Sequence, residues 1–232
     1  EEKQIRDQHN ALRVTLQTNG EKAKTLVVEF RVFNDGFAFR YEWPRQPHLN
    51  YFVVKKELTS FALAGDHKTW WIPGDYDTNE FFYTTSKLSE VDASKSAEFT
   101  EIGVKVPFSD NGVQTPLMMK SQEGLYINIH EAALVNYPAI QLELDKKTFT
   151  LQAHLVPDAV GNAAYLQAPA KSPWRTVLVS NKATDLLASR TILNLNEPSV
   201  IADPSYIKPT KYIGLWWEMH VGKSTWDYAA TQ

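Results

Sequence analysis

The sequence predicts a mainly β protein built from antiparallel sheets, and three observations predict it. Short runs of alternating, β-branched or aromatic residues recur along most of the chain. Clusters of Gly, Pro, Asn and Asp punctuate them, and only two short stretches, Thr184 to Ser189 and Pro198 to Asp203, look helical. With 43% hydrophobic and 12% aromatic residues, a chain of 232 residues can bury one sizeable core or two small ones, which excludes a disordered segment.

The clearest local signal comes first. Leu26 to Phe33 and Phe37 to Trp43 read as two strands joined at Asn34-Asp35-Gly36, where Asp-Gly suits a tight turn. Phe37, Phe39 and Tyr41 alternate with Ala38, Arg40 and Glu42, giving one aromatic face and one more polar face. Further strands are expected at 51–54, 68–72, 80–83, 97–106, 124–129, 140–144, 148–155 and 176–179. Pro73-Gly74-Asp75, Asp110-Asn111-Gly112 and Asp145-Lys146-Lys147 act as turns between them. After the connector Ile207-Lys208-Pro209-Thr210-Lys211, the apolar run Tyr212 to Trp217 reads as a strand buried on both faces. About fifteen residues follow it, too few to cover such a strand, so the chain is expected to stop inside a second domain.

Composition narrows the function classes. A formal net charge of −3, from 24 basic and 27 acidic residues, offers no footprint for nucleic acid or an anionic membrane surface. There is no cysteine, hence neither a disulfide framework nor a thiolate metal site. No apolar run is long enough for a membrane-spanning helix. The nearest approach to a zincin motif, His130-Glu131-Ala132-Ala133-Leu134, has leucine where the second histidine must stand. Nucleophile-elbow, dinucleotide and phosphate-loop motifs are absent from the sequence.

The remaining candidates are carboxylates, histidines and aromatics. His130 and Glu131 follow a predicted strand, where a polar pair serves either a site or a sheet edge. Asp75 and Asp77 suit a capping turn better than a metal or acid–base pair. The pairs Trp70-Trp71, Phe81-Phe82 and Trp216-Trp217 suit a core first and a sugar-stacking surface second. Glu197, in Asn194-Leu195-Asn196-Glu197-Pro198, and Glu218, in Trp217-Glu218-Met219-His220, flank the Pro-marked connector and carry oxygens suited to calcium.

Five motifs in order give these candidates a setting: Arg31 to Tyr41, Gly124 to Tyr137, Ser172-Pro173-Trp174-Arg175-Thr176, Asn194 to Pro198, and Ile207-Lys208-Pro209 running into Gly214 to His220. Together they resemble glycoside hydrolase family 97. The resemblance implies an N-terminal antiparallel β super-sandwich over residues 1–206, lacking its first strands. It implies that residues 207–232 are the connector and first strand of a (β/α)₈ catalytic barrel. It further implies a calcium-dependent, exo-acting α-glycosidase, an α-glucosidase more than an α-galactosidase, acting on α-linked oligosaccharides in the periplasm or outside the cell. By the same resemblance Glu197 is the calcium ligand from this domain. Glu218 and His220 lie at the C-terminal end of a barrel strand, in reach of substrate. His130 and Glu131 are weaker substrate-side candidates, and the catalytic carboxylates lie outside this sequence. A carbohydrate-binding sandwich without catalysis is the alternative reading.

Overall fold

The computed structural model describes residues 4–96 and 105–212. Fifteen strands are formed among them: β1 (Asn10–Gln17), β2 (Thr25–Phe33), β3 (Gly36–Trp43), β4 (Tyr51–Val54), β5 (Ser60–Ala62), β6 (Lys68–Trp71), β7 (Thr84–Lys87), β8 (Gly112–Gln114), β9 (Leu117–Lys120), β10 (Tyr126–Ala132), β11 (Ile140–Asp145), β12 (Thr150–Leu155), β13 (Ala164–Gln167), β14 (Ala170–Lys171) and β15 (Trp174–Ser180). Among the described residues helix is confined to α1 (Ala93–Ser96), α2 (Ala183–Ala188), α3 (Thr191–Leu195) and a 3₁₀ turn at Leu88–Glu90. The fold is mainly β, and every strand pairing is antiparallel.

The large sheet runs β1-β2-β3-β15-β10-β9-β6-β7, with β14 also paired to β3, and a four-stranded sheet runs β5-β12-β11-β8. Period-two alternation decides what each face buries. Met119, Ile129 and Val177 point from the large sheet toward Leu142, Leu144, Leu151 and Ala153 of the small one, and these residues share one core. Each fully buried Leu or Ile there contributes about 1.5–3 kcal/mol. The opposite face of the large sheet buries Ala38, Ala132 and Trp174 beneath Leu195 of α3. Hereafter the core-facing side is the inner face and the α3 side the outer face.

The predicted hairpin forms with the expected alternation, pairing Phe30 with Phe39 and Val28 with Tyr41. Gly36 is required by proximity, because a Cβ there would lie 2.2 Å from the Val177 carbonyl oxygen on β15. Elsewhere the structure departs from expectation. Residues 80–83 are a loop, and the strand begins at Thr84, opposite Trp71. Beyond Trp71, Pro73 has no N–H to continue the ladder. Residues 198–203 form no helical turn: Ser199 and Asp203 side chains accept the backbone N–H groups of Ile201 and Ser205, a local alternative to helix. The expected strand at 97–106 lies mostly outside the described residues, as does the barrel strand expected from Tyr212 to Trp217.

The chain divides into two units, Glu1–Glu197 and Pro198–Gln232. In the second, the described residues 198–212 are exposed and irregular, with one turn closed by the Ile207 N–H on the Pro204 carbonyl at 2.9 Å. Among the described residues no helix is long and apolar enough to cross a membrane.

Candidate functional site

Glu197 ends the first unit, and three anchored steps lead to it. The first is Asp35 in the β2–β3 turn, which accepts hydrogen bonds from the Ser189 hydroxyl at 2.5 Å and the Thr191 hydroxyl at 2.8 Å. These fix the start of α3 against the hairpin. The second is the apolar underside of α3, where Ile192 and Leu195 pack on the outer face of the sheet. The third is Asn196: its Oδ1 accepts the Ala133 N–H at 3.1 Å, and its Nδ2 donates to the Ile192 carbonyl at 2.6 Å. Ala133 holds a left-handed φ of 53°, which disfavours a residue with a Cβ and needs support from its surroundings. Asn196 supplies that support and fixes the end of α3 to the end of β10.

Glu197 follows directly, exposed and without a hydrogen bond or ion pair to another described residue. Calcium takes about 6–8 oxygens. No group of three or more His, Asp or Glu side chains able to hold a metal occurs among the described residues. Glu197 therefore fits a single ligand position, and the other oxygens would come from elsewhere in the protein. Glu218 and His220 lie outside the described residues.

His130 and Glu131 are not brought together. β10 continues to Ala132, so the two side chains project to opposite faces. His130 lies on the outer face opposite Thr176, with Nδ1 buried and unpartnered, and burial lowers its pKa and favours the neutral imidazole. Glu131 points inward and binds the Arg175 guanidinium at 2.7 Å, while also accepting the Ile140 N–H at 3.2 Å. Arg175 is fully buried and makes a two-pronged contact with Glu57, Nε at 2.8 Å and Nη2 at 2.6 Å. The Thr59 hydroxyl, 2.8 Å away, and the Tyr137 hydroxyl, 3.2 Å away, also donate to Glu57. Burial pushes the Glu131 carboxyl up, opposed by the charge of Arg175. This network is buried and joins the sandwich layers.

The other candidates divide similarly. Trp71 is buried and donates its Nε1–H to Ser86 at 3.0 Å, so it offers no sugar platform. Trp70 lies on the outer face, stacked on Tyr126 with ring centroids 6.4 Å apart. Asp75 is a buried turn-former: its two oxygens accept the N–H groups of Asp77, Thr78 and Val106. Sequence reasoning missed Asp35 and Asn196 as the residues that position Glu197. The signal available for Asn196 was its place before Glu197-Pro198; for Asp35, 156 residues from Thr191, there was none.

The described residues form a two-layer antiparallel sandwich with a buried charge network inside and an exposed carboxylate, Glu197, at the end of the first unit, which makes it a β-sandwich module. Residues 1–198 match Glycosyl-hydrolase 97 N-terminal, and the chain belongs to glycoside hydrolase family 97, as its N-terminal domain. A family 97 enzyme from Pseudoalteromonas sp. strain K8, solved in complex with acarbose, is 39% identical with a TM-score of 0.76; the match covers 93% of this chain and 30% of that one. A variant of that enzyme solved with panose gives a TM-score of 0.78 at 39% identity, over 95% and 31% of the two chains. The retaining alpha-galactosidase of Bacteroides thetaiotaomicron is 26% identical over 92% of this chain and 33% of its own length. The chain thus spans about a third of the length of these relatives.

Proposed function

We propose that this domain belongs to an exo-acting α-glucosidase that removes glucose from the non-reducing ends of α-linked oligosaccharides, in the periplasm or outside the cell. The observation that carries the reading is the 39% identity to an enzyme solved with acarbose and panose, against 26% to a retaining alpha-galactosidase. In this reading the domain is scaffold and performs no bond cleavage. The barrel begins at residues 212–220, with Glu218 and His220 at the end of its first strand, on the side where barrel enzymes place their sites.

Glu197 supplies one oxygen ligand to a calcium ion shared with the barrel. Bound there, calcium would polarise a hydroxyl or water beside the sugar and favour carboxylate ionisation. Asn196 keeps the carboxylate oriented by bonding the end of β10. The two catalytic carboxylates come from the barrel. A separation of about 6.5–9.5 Å would mark an inverting enzyme and about 5–5.5 Å a retaining one.

Assaying the full-length protein on paired p-nitrophenyl α-glucoside and α-galactoside tests this reading. Faster release from the glucoside, abolished by a calcium chelator and restored by added calcium, is expected. Preference for the galactoside would move the protein to the other branch, and turnover by residues 1–206 alone would contradict the scaffold role.

A further inference from the structure

The four-stranded sheet turns Leu151, Ala153 and Leu155 of β12 into the core, which leaves Gln152 and His154 on its far side. That side carries an organised aromatic surface. The Tyr76 hydroxyl and His154 Nε2 lie 2.7 Å apart, with ring planes within 15° of each other. Phe108 stacks on His154 at 4.0 Å between centroids and 5° between planes. Phe108 is itself seated on glycine: a Cβ on Gly74 would fall 2.2 Å from its ring, and one on Gly112 2.6 Å. The His154 imidazole and the Tyr76 phenol therefore form one flat shelf, backed by Phe108.

The shelf faces a cleft of about 590 Å³, lined by Tyr76 and His154 but not by Phe108. Glu143 and Gln152, paired in register, stand beside the shelf and also line the cleft, with Lys56 and Leu58 at its wall. Each polar side chain is half committed. Glu143 uses one oxygen for the Ser109 hydroxyl at 2.6 Å, and Gln152 uses its amide N–H on the Thr59 carbonyl at 2.7 Å. The second Glu143 oxygen and the Gln152 Oε1 make no hydrogen bond to other described residues. Next to His154 in register, Gln141 keeps a buried Oε1 unpartnered. Burial lowers the His154 pKa, with Glu143 opposing and Lys56 assisting, so the ring stays neutral at pH 7 and stacks as an uncharged face.

We propose that this cleft is a second carbohydrate site, remote in sequence from Glu197, in which a neutral hexopyranose stacks on Tyr76 and His154 and its hydroxyls meet Glu143, Gln152 and Lys56. A flat apolar face with a rim of mixed donors and acceptors matches a pyranose, whose C–H face is apolar and whose edge is polar. The lining charges, Lys55 and Lys56 against Glu57 and Glu143, balance and leave no net charge to select an anion. The site would hold an oligosaccharide chain while its end is processed elsewhere; the choice of an α-glucan as probe rests on the proposed activity.

The test is affinity electrophoresis of the full-length protein in gels with and without amylopectin, for the wild type, His154→Ala and Leu58→Asp. Leu58 is 81% exposed, so its substitution leaves the fold intact should the His154 variant not survive. Retardation of the wild type is expected, with an apparent affinity about tenfold weaker in each variant. kcat/KM on p-nitrophenyl α-glucoside and the melting temperature of Leu58→Asp should stay unchanged. No retardation of the wild type, or equal retardation of all three proteins, overturns the proposal. So does a parallel fall in small-substrate kcat/KM, which would place the effect at the catalytic site. Wild-type retardation without α-glucoside turnover would instead sink the proposed activity and leave the shelf standing.

Discussion

The two faces of the large sheet both carry arginine and glutamate, yet they use them differently. On the inner face one arginine, Arg175, serves two carboxylates, Glu57 and Glu131, and all three are buried. On the outer face, toward the β1 edge, Arg13, Arg31 and Arg40 alternate with Glu29 and Glu42, and Arg13 is 53% exposed. Trp174 lies under this array, with the Arg31 and Arg40 guanidinium groups 4.7 and 4.3 Å from its ring. The inner cluster is short of positive charge and the outer one is not. Loss of a cation should therefore be severe inside and mild outside.

The largest expected effect follows from the inner cluster. Arg175→Met removes the one cation that, among the described residues, pairs with Glu57 and Glu131, and should destabilise the domain by about 3–5 kcal/mol, measured by urea unfolding. A loss below about 1 kcal/mol would mean that water reaches these carboxylates. Acid should separate the faces next. Burial opposes ionisation of Glu29, but hydrogen bonding with Glu42 and from Arg40 and Arg31, with the charge of Arg40, holds its carboxyl down to about 2. A carboxyl depressed on folding stabilises above its ordinary value near 4.5, and that contribution is lost as pH falls toward 2. Glu131, pushed up by burial, acts in the opposite sense, weakening the fold as pH rises through its raised value. Glu29→Gln should accordingly flatten the decline of the urea midpoint between about pH 4.5 and 2; an undiminished decline would assign it to other groups. The smallest effect belongs to Arg13→Ala at the exposed rim, about 1 kcal/mol or less and shrinking in high salt.

The same contrast explains what was legible in the sequence. Phe37, Phe39 and Tyr41 announced the hairpin because one face is buried and the other polar, so alternation and burial coincide. β1 is less legible: Leu12, Val14 and Leu16 alternate with Arg13, Thr15 and Gln17, but the strand lies wholly exposed at the sheet edge, so no burial accompanies the alternation. α3 could not be read from Thr191-Ile192-Leu193-Asn194-Leu195: its β-branched start is a weak helix former, and Asp35 and the sheet hold it. The pairing of Glu131 with Arg175 is equally non-local, 44 residues apart and dictated by register. Glu197 was legible only through its Asn-Glu-Pro setting; the anchoring of Asn196 to Ala133, 63 residues away, appears only in the fold.

The central claim is that a non-catalytic sandwich lends one carboxylate to calcium, and calcium affinity of the full-length protein tests it most directly. Titrated by calorimetry, Glu197→Gln should weaken calcium binding by about tenfold or more, at least the effect of disturbing an outer-sphere partner, with an unchanged melting temperature of the calcium-free protein. Unchanged calcium affinity in Glu197→Gln would contradict the account.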